Sequence, residues 1–322
     1  MPMRALRFAR FGGPEELRIE EVPKGEVPLG HAQVRVHAVS LNPLDWKLRA
    51  GHLRLLPVFK APPRGLGCDF AGEIVAVGGG ATERHVGERV FGSIMPFGRD
   101  GALADMLVTP YARMLPIPDD LDVVPAAALP IAAGTALQAL ADDACVTPGQ
   151  RVLVTGAAGG VGHFAVQIGK HLGAYVVGVC SADNATFVRE LGADEVIDYT
   201  TEDFTERTDR FDVVLDAAGV SSFAGSRRVL APLGCYLNTG GDAASVVATL
   251  RSGLMARLTS RQRAVLMVVK SGQPLWRRLL ACVRAGALVP QVTRIIGLED
   301  VAEAQRAMAT GHGRGKIVVR LV

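Results

Sequence analysis

The sequence predicts an α/β fold in which a β-rich N-terminal lobe precedes a doubly wound parallel sheet. Three observations predict it. Before residue 125 the chain consists of short apolar runs punctuated by Gly and Pro, with little helical periodicity. After residue 125, β-branched apolar runs alternate with helical patterns, which is typical of βαβ units. The 322 residues also exceed the roughly 250–300 at which single cores stop growing, so two domains are expected.

Composition excludes several classes of protein. Hydrophobic residues make up 49% and charged residues 21%, which allows a sizeable core and argues against disorder. The net charge of +3 comes from scattered Lys and Arg, so we expect no nucleic-acid partner. The N-terminal "MPMRALRFARFGG" has no apolar segment typical of a secretory signal. The five cysteines form no C-x-x-C pair, which favours a reducing, cytoplasmic location without disulfides.

The longest uncharged run, residues 123–141, is 19 residues long and therefore has to be considered as a membrane span. It contains Pro125, Pro130, Gly134 and Gln138, and polar sequence lies on both sides. This composition predicts a buried helix in a globular core, and no membrane partner is expected.

The stretch 151–172 has the order strand, glycine loop, helix. "RVLVT" (151–155) is a β-branched apolar run, as expected for a buried parallel strand. "AAGGVG" (157–162) then fits G-x-G-x-x-G with alanine at the first position. Gly159 allows the backbone to approach a pyrophosphate, Gly162 allows the helix to pack on the strand, and a helix is predicted from about 160 to 172. The order predicts a dinucleotide site, with a ligand-free structural turn as the alternative; no G-x-x-x-x-G-K-[ST] sequence indicates a P-loop.

The end of the second predicted strand, "YVVGVCS" (175–181), indicates which dinucleotide binds. Sites for NAD usually carry Asp or Glu there, whereas this chain has Cys180 and Ser181. A serine hydroxyl can donate to a 2′-phosphate that a carboxylate would repel, so NADPH is favoured. Asp183 keeps NADH as the alternative, unless it serves the N-terminus of a helix that begins near Asn184.

Six segments, in order along the chain, carry a family resemblance. The sequence resembles the zinc-independent quinone oxidoreductase branch of the medium-chain dehydrogenase/reductase superfamily, which includes the zeta-crystallins. The resemblance implies a GroES-like β-rich catalytic domain (1–124), an inserted Rossmann domain (125–286) and a C-terminal return to the first domain (287–322). It also implies a homodimer or homotetramer. The segments are "SLNPLDWKLRAG" (40–51), "GCDFAGEIVAVG" (67–78), "VGERVFG" (86–92), "TPGQRVLVTGAAGGVG" (147–162), "LGADEVIDY" (191–199) and "GHGRGKIVV" (311–319).

The positions that bind zinc in related dehydrogenases are altered here. Asn42 stands where those proteins have a cysteine, and Gly67-Cys68-Asp69 replaces Gly-His-Glu. The segment "SIMPFGRD" (93–100) has no cysteine in place of the structural zinc loop. A catalytic zinc needs three Cys, His or carboxylate ligands, so we expect no zinc and interpret Cys68 as a buried thiol.

Without a metal, the chemistry has to suit substrates that delocalise negative charge. None of the four tyrosines is followed by Lys four residues later, which excludes the Tyr–Lys mechanism of short-chain dehydrogenases. Quinones and α,β-unsaturated carbonyls spread the charge by conjugation, and reduction then needs only a hydrogen-bond donor and a proton. A quinone or enone is therefore the expected small-molecule partner.

The resemblance assigns candidate catalytic residues to the loop after the third predicted strand. Lys47 occupies the place of a tyrosine in "D-x-Y-I-R-S-G" and could hold a substrate oxygen, unless it is a solvated lysine. His52 is a candidate proton donor, with an exposed loop histidine as the alternative. Asn42 and Thr135 match positions that line the nicotinamide, although an Asx turn and helix packing would also explain them. Trp46 lies either in the cleft wall or in the lobe core.

The cofactor contacts implied by the resemblance lie in three places. Some surround the glycine loop and the adenosine phosphate, some follow the ends of later strands, and residues 313–315 resemble a loop that closes over the cofactor. Arg314 alone would more often be a surface charge. The predicted contacts are Thr135, Ala158, Gly159, Gly160, Val161, Ser181, Asn184, Tyr199, Gly219, Gly240, Gly241, Gly313, Arg314 and Gly315.

Two alternatives to an NADPH-dependent quinone or activated-alkene reductase stay open. One is a narrower enoyl-thioester or enone reductase, although the tyrosine of enoyl reductases is missing near His52. The other is a non-catalytic NADPH-binding protein of the crystallin type. Segment 243–271 matches the family least; the spacing of Val246, Val247, Leu250, Leu254 and Leu258 predicts an amphipathic helix that lines either the substrate mouth or a subunit contact.

Overall fold

The computed structural model describes residues 2–54, 62, 64–80, 84–94, 100–240, 247–249, 251–253, 261–311 and 313–321. These residues form a three-stranded sheet, a seven-stranded sheet and a six-stranded sheet. The first two build a β-rich lobe and the third is parallel throughout, so the predicted α/β fold is confirmed.

The N-terminal lobe consists mainly of antiparallel strands that alternate between buried and exposed side chains. In the large lobe sheet β3 pairs with β5, and β5 pairs with β6, and all three strands contribute side chains to the lobe core. One short helix, α1, follows β3 directly. The elements are β1 (Met3–Phe8), β2 (Leu17–Val22), β3 (His31–Ser40), α1 (Pro43–Arg49), β4 (Arg64–Gly65), β5 (Asp69–Val77), β6 (Arg89–Ser93), β7 (Met106–Pro110) and β8 (Met114–Pro116).

The apolar run 123–141 is helical and largely buried, as predicted. It is not one regular helix but alternates α and π turns; Pro130, which has no backbone N–H to donate, lies in the first π turn. Among the described residues, no helix has the length and apolar character needed to cross a membrane. The segments are α2 (Val123–Ala127), a π turn (Leu129–Ala133), α3 (Gly134–Leu137) and a second π turn (Gln138–Asp143).

The parallel sheet has the strand order β11-β10-β9-β12-β13-β14, the doubly wound order that places a ligand crevice at the carboxyl ends of its central strands. The first strand of this sheet, β9, is flanked by β10 on one side and β12 on the other. The elements are β9 (Arg151–Thr155), α4 (Gly162–His171), β10 (Tyr175–Cys180), α5 (Ala185–Glu190), β11 (Glu195–Asp198), β12 (Phe211–Asp216), α6 (Phe223–Ser226), β13 (Leu230–Asn238), β14 (Arg263–Leu266) and α7 (Gln273–Arg284).

Two features of this sheet differ from the sequence prediction. Helix α4 begins at Gly162 and not near residue 160, because the preceding residues form a tight turn. Strand β14 was not predicted, since segment 243–271 was interpreted as helical. Residues 247–249 and 251–253 are helical; Val246, Leu250, Leu254 and Leu258 lie outside the described residues.

The C-terminal segment returns to the lobe. Strand β16 pairs antiparallel with β3, with Val318 opposite Ser40, and β15 extends the same sheet. The first residue of β16 therefore lies where the lobe meets the parallel sheet. Trp276 of α7 also packs against Phe91 of β6, with ring centroids 6.2 Å apart, so both halves share one hydrophobic cluster. The elements are β15 (Val292–Ile296), α8 (Val301–Ala309) and β16 (Lys316–Arg320).

Candidate active site

The glycine loop after β9 has a geometry that only small residues allow. Gly156 adopts a positive φ of +59°, and the amide of Gly159 donates to its carbonyl oxygen at 2.8 Å. A Cβ on Gly162 would overlap that same carbonyl oxygen and lie 2.8 Å from Cα of Ala157. Because the backbone itself fills this space, the loop keeps its amides at the start of α4, where they can bind an anion. The residues present fit a dinucleotide pyrophosphate.

His163, in the first turn of α4, connects this loop to the segment that contains Gln291. Its Nδ1 lies 2.9 Å from the carbonyl oxygen of Gly159, and its Nε2 lies 3.3 Å from the amide of Gln291. Since an amide can only donate, Nε2 accepts and the proton is on Nδ1. Burial lowers the pKa of His163 to about 4, so the ring is neutral at physiological pH.

We expect this histidine to make the protein sensitive to acid. Between pH 6.5 and about 4 the unfolded His163 binds a proton and the folded one does not, so the free energy of unfolding falls as the pH falls. The ring costs no stability above pH 6.5, where it is neutral in both states, and the full cost is reached by about pH 4. That cost is expected to be about 2 kcal/mol, because water partly relieves a buried cation. Urea unfolding of the wild type and His163→Gln at several pH values measures it. Groups common to both proteins cancel in the difference, and parallel pH profiles would contradict the prediction.

The carboxyl end of β10 gathers the residues predicted at the adenosine phosphate. The side-chain amide of Asn184 donates to the hydroxyl of Ser181 at 3.1 Å. Arg314 reaches this place from the C-terminal loop: its Nε donates to Oδ1 of Asn184 at 2.8 Å and its Nη2 to the backbone oxygen of Asp183 at 2.9 Å. The guanidinium also lies 5.0 Å from the ring centroid of Phe187. The structure thus brings Ser181, Asn184 and Arg314 together.

A buried carboxylate orders the loop after β12, and a buried amide side chain orders the turn after β13. Asp216 accepts hydrogen bonds from the hydroxyl of Thr155 at 2.6 Å, the amide of Gly219 at 2.9 Å and the hydroxyl of Tyr236 at 3.0 Å. Gly240 has a φ of +101°, and its amide donates to the side chain of Asn238. Both loops lie at the carboxyl ends of their strands; β12 is next to β9, and β13 is next to β12. Gly241 lies outside the described residues.

On the lobe side, the predicted loop is helical: Asn42 precedes α1, Lys47 lies within it and His52 follows it. Asp45 anchors this helix. Its carboxylate accepts from the amide of Asn42 at 2.7 Å and from the amide of Gly67 at 3.0 Å. Burial raises the pKa of Asp45 to about 6, and these two hydrogen bonds limit the rise. The carboxylate therefore joins α1 to the segment before β5.

A buried network surrounds the side chain of Asn42. Its Nδ2 donates to Oδ2 of Asp69 at 3.0 Å and to the backbone oxygen of Ser40 at 3.2 Å, and its Oδ1 accepts from Nζ of Lys316 at 2.8 Å. Burial raises the pKa of Asp69 to about 7, while the nearby Lys316 ammonium limits the rise. Lys316 is only 3% exposed, and burial lowers its pKa.

This donor set does not fit a catalytic zinc ion. Burial, with Asp45 and Asp69 nearby, raises the pKa of the Cys68 thiol well above its usual value, so it is no ready thiolate ligand. Asn42 contributes an amide that already has protein partners, and the ammonium of Lys316 adds a positive charge next to it. Within the described ranges, no three His, Cys, Asp or Glu side chains form a group that could hold a metal.

Lys47, Trp46 and His52 form a cluster at the end of α1. The rings of Trp46 and His52 meet edge to face with centroids 5.3 Å apart, and Nζ of Lys47 lies 5.7 Å from the Trp46 centroid. His52 is exposed and the other two side chains are half-buried. The structure thus brings two of the predicted catalytic residues together, and their roles stay predictions.

The remaining predicted cofactor residues have varied surroundings, and their contact with a cofactor stays a prediction. Ala158 accepts at 2.8 Å from the amide of Gly315, which ties the glycine loop to the turn before β16. Thr135 is buried in α3, and the amide of Tyr199 donates to the carbonyl oxygen of Cys180 beside the adenosine end. Gly313 has open space around it. Gly160 and Val161 complete the turn before α4.

Sequence reasoning missed three residues that shape this site. They are His163, Asp216 and Lys316. Lys316 lies in the segment "GHGRGKIVV" (311–319), which was recognised as a family motif. The sequence alone does not indicate which group its ammonium contacts. His163 and Asp216 directly follow a recognised glycine or apolar pattern, and a polar residue inside a buried pattern is the signal that could have found them.

Comparisons with known proteins agree with this architecture. Residues 28–119 match the family described as alcohol dehydrogenase GroES-like domain, and residues 191–319 match the family described as zinc-binding dehydrogenase. The chain is 31% identical to the chloroplast envelope quinone oxidoreductase homolog of Arabidopsis thaliana, over 98% of both chains. It is 32% identical to the 2-haloacrylate reductase of a Burkholderia species, over 96% of both. The solved structure of the quinone oxidoreductase from Coxiella burnetii covers 100% of both chains at 30% identity, with a TM-score of 0.90.

Proposed function

The chain belongs to the quinone oxidoreductase-type members of the medium-chain dehydrogenase/reductase superfamily, and from this premise we propose that it reduces quinones or α,β-unsaturated carbonyls with NADPH and without zinc. Membership makes it an oxidoreductase with a nicotinamide cofactor. The preference for NADPH, the substrate class and the independence from zinc belong to the proposal.

The position of Arg314 is the main observation that supports a preference for NADPH. Its guanidinium is held within 2.8 Å of Asn184, beside the Ser181 hydroxyl, at the strand end where the adenosine ribose binds in this fold. A guanidinium and a hydroxyl are both donors suited to a 2′-phosphate. Asp183 presents its backbone oxygen, not its carboxylate, to Arg314.

The substrate class is supported by the chemistry of the lobe loop. A bound nicotinamide supplies a hydride. The side chains near the loop provide donors without a metal: the ammonium of Lys47 to hold a substrate oxygen, and His52 to deliver the proton that completes the reduction. Asn42, directly before α1, is buried between Asp69 and Lys316. The 2-haloacrylate reductase relative supports an activated alkene as substrate as well as a quinone.

A substrate panel tests the proposal. We expect NADPH oxidation with small quinones and enones and no oxidation of simple alcohols, because the described residues offer no group of ligands for the metal that usually stabilises an alkoxide. Lys47→Met should lower kcat about tenfold, because the variant loses a charged hydrogen bond to the substrate oxygen, and Lys47→Arg should retain more activity. A mainly enoyl-thioester activity would favour the narrower reductase. NADPH binding without any turnover would contradict the proposal and favour the non-catalytic alternative.

The expected assembly and location stay predictions. We expect a homodimer or homotetramer, measured as a sedimentation mass of two or four times 34.0 kDa. A monomer at micromolar concentration would contradict it. The predicted absence of nucleic-acid binding and the cytoplasmic location need their own measurements, by a salt-dependent RNA shift and by fractionation.

A further inference from the structure

One buried side chain connects the dinucleotide loop to the substrate side of the cleft. At its backbone, Lys316 donates to the carbonyl oxygen of Gln291 at 2.8 Å, and the preceding Gly315 donates to that of Ala158. The aliphatic stem passes the glycine loop closely, because a Cβ on Gly160 would lie 3.4 Å from Cδ of Lys316. The glycine loop is thus hydrogen-bonded to the residue before Lys316 and lies beside the stem of Lys316.

The head of the same side chain is fixed to the lobe. Its Nζ donates to the backbone oxygen of Leu41 and to Oδ1 of Asn42, both at 2.8 Å. Asp69 and Asp45 lie near enough to favour the charged ammonium against the cost of burial. The ammonium is therefore held by two oxygens that lie directly before α1.

These contacts fix the orientation of the Asn42 amide. An ammonium only donates and a backbone carbonyl only accepts, so Oδ1 has to face Lys316 and Nδ2 has to face the oxygen of Ser40, beside Asp69. A flipped amide would place its NH2 group against the ammonium. One lone pair of Oδ1 stays available, and its direction is set by Lys316.

We propose that Lys316 is a positioning residue. It fixes the orientation of the Asn42 carboxamide relative to the dinucleotide loop, and it thereby couples cofactor binding to the geometry of the substrate cleft. The inference rests on the proposed function. Movement of the glycine loop when a dinucleotide binds is transmitted through the stem of Lys316 to Asn42. No contact between Lys316 and the substrate is required.

A purely structural role for Lys316 predicts different behaviour. In that case the ammonium only compensates the buried charges of Asp45 and Asp69, and any cation in its place should serve. Lys316→Arg keeps the charge but carries a longer, planar head that cannot donate to both Leu41 and Asn42 in the same geometry. A positioning role therefore predicts reduced activity in Lys316→Arg without loss of melting temperature.

The test is a double-mutant cycle with Asn42→Ala, using NADPH affinity from fluorescence titration and kcat with one quinone. We expect Lys316→Met and Asn42→Ala each to weaken NADPH binding about fivefold and to lower kcat about tenfold, with little change in the quinone KM. The double variant should be no worse than either single variant. Lys170→Met, which removes an ion pair with Asp194 on the surface of α4, is the matched control and should leave both quantities unchanged.

Three results would overturn the proposal. They are additive effects in the cycle, wild-type kcat in Lys316→Arg, and a lower melting temperature as the only defect of Lys316→Met. If Lys316→Met does not fold, Lys316→Arg and Asn42→Ala still form a cycle. If the wild type turned over no substrate, the proposed function would fail, whereas the NADPH-affinity cycle would still measure the coupling.

Discussion

Gly162→Ala is expected to weaken NADPH binding by about a thousandfold. The added Cβ would overlap the carbonyl oxygen of Gly156 and lie 2.8 Å from Cα of Ala157, and both neighbours are backbone atoms that cannot rotate away. The turn before α4 has to shift, and its amides then no longer converge on one anion. A thousandfold loss corresponds to about 4 kcal/mol of binding free energy.

Fluorescence titration with NADPH measures this loss, and circular dichroism with thermal melting shows whether the protein is still folded. Gly272→Ala is the matched control, because Gly272 has an extended backbone and the nearest atom to an added Cβ is 3.9 Å away. Near-wild-type NADPH affinity in folded Gly162→Ala would show that the loop does not hold the pyrophosphate.

The double variant Ser181→Asp/Arg314→Ala is expected to shift the preference from NADPH towards NADH by about a hundredfold. The new carboxylate repels a 2′-phosphate and accepts from a ribose hydroxyl, while the second change removes a guanidinium held 2.8 Å from Asn184. Loss of a charge-assisted hydrogen bond together with a repulsive charge accounts for about 3 kcal/mol.

The readout is kcat/KM for each dinucleotide at a fixed quinone concentration. Arg284→Ala, which removes an exposed arginine at the end of α7, controls for a general loss of positive charge. An unchanged ratio of the two kcat/KM values, with both dinucleotides affected equally, would show that Arg314 is a surface residue. It would also indicate that Asp183 determines the cofactor preference.

The parts of the site that sequence predicted well are local in the chain. The glycine loop could be predicted because strand, glycines and helix all fall within residues 151–172, and each glycine has a steric reason of its own. Strand β14 was missed because the helical spacing of the residues before it dominated the interpretation. The π turns in 129–143 lie within a buried segment, and an apolar helical pattern does not distinguish π turns from α turns.

The parts that sequence could not predict depend on contacts between distant segments. Lys316 and Asn42 are 274 residues apart, and Arg314 and Asn184 are 130 apart. Neither pair is implied by spacing or composition, because the antiparallel pairing of β16 with β3 and the closure of the loop before β16 create them. The motif that contains Arg314 and Lys316 was recognised, but the groups that each of these side chains contacts can be identified only from the fold.

The central claim is that a nicotinamide at this crevice reduces conjugated substrates without a metal. The most direct test is stopped-flow oxidation of NADPH and of NADH by one quinone, with purified protein before and after treatment with a strong chelator. The account predicts oxidation of NADPH at a rate well above that of NADH, and the same rate after chelation. Loss of activity on chelation that zinc restores would contradict it.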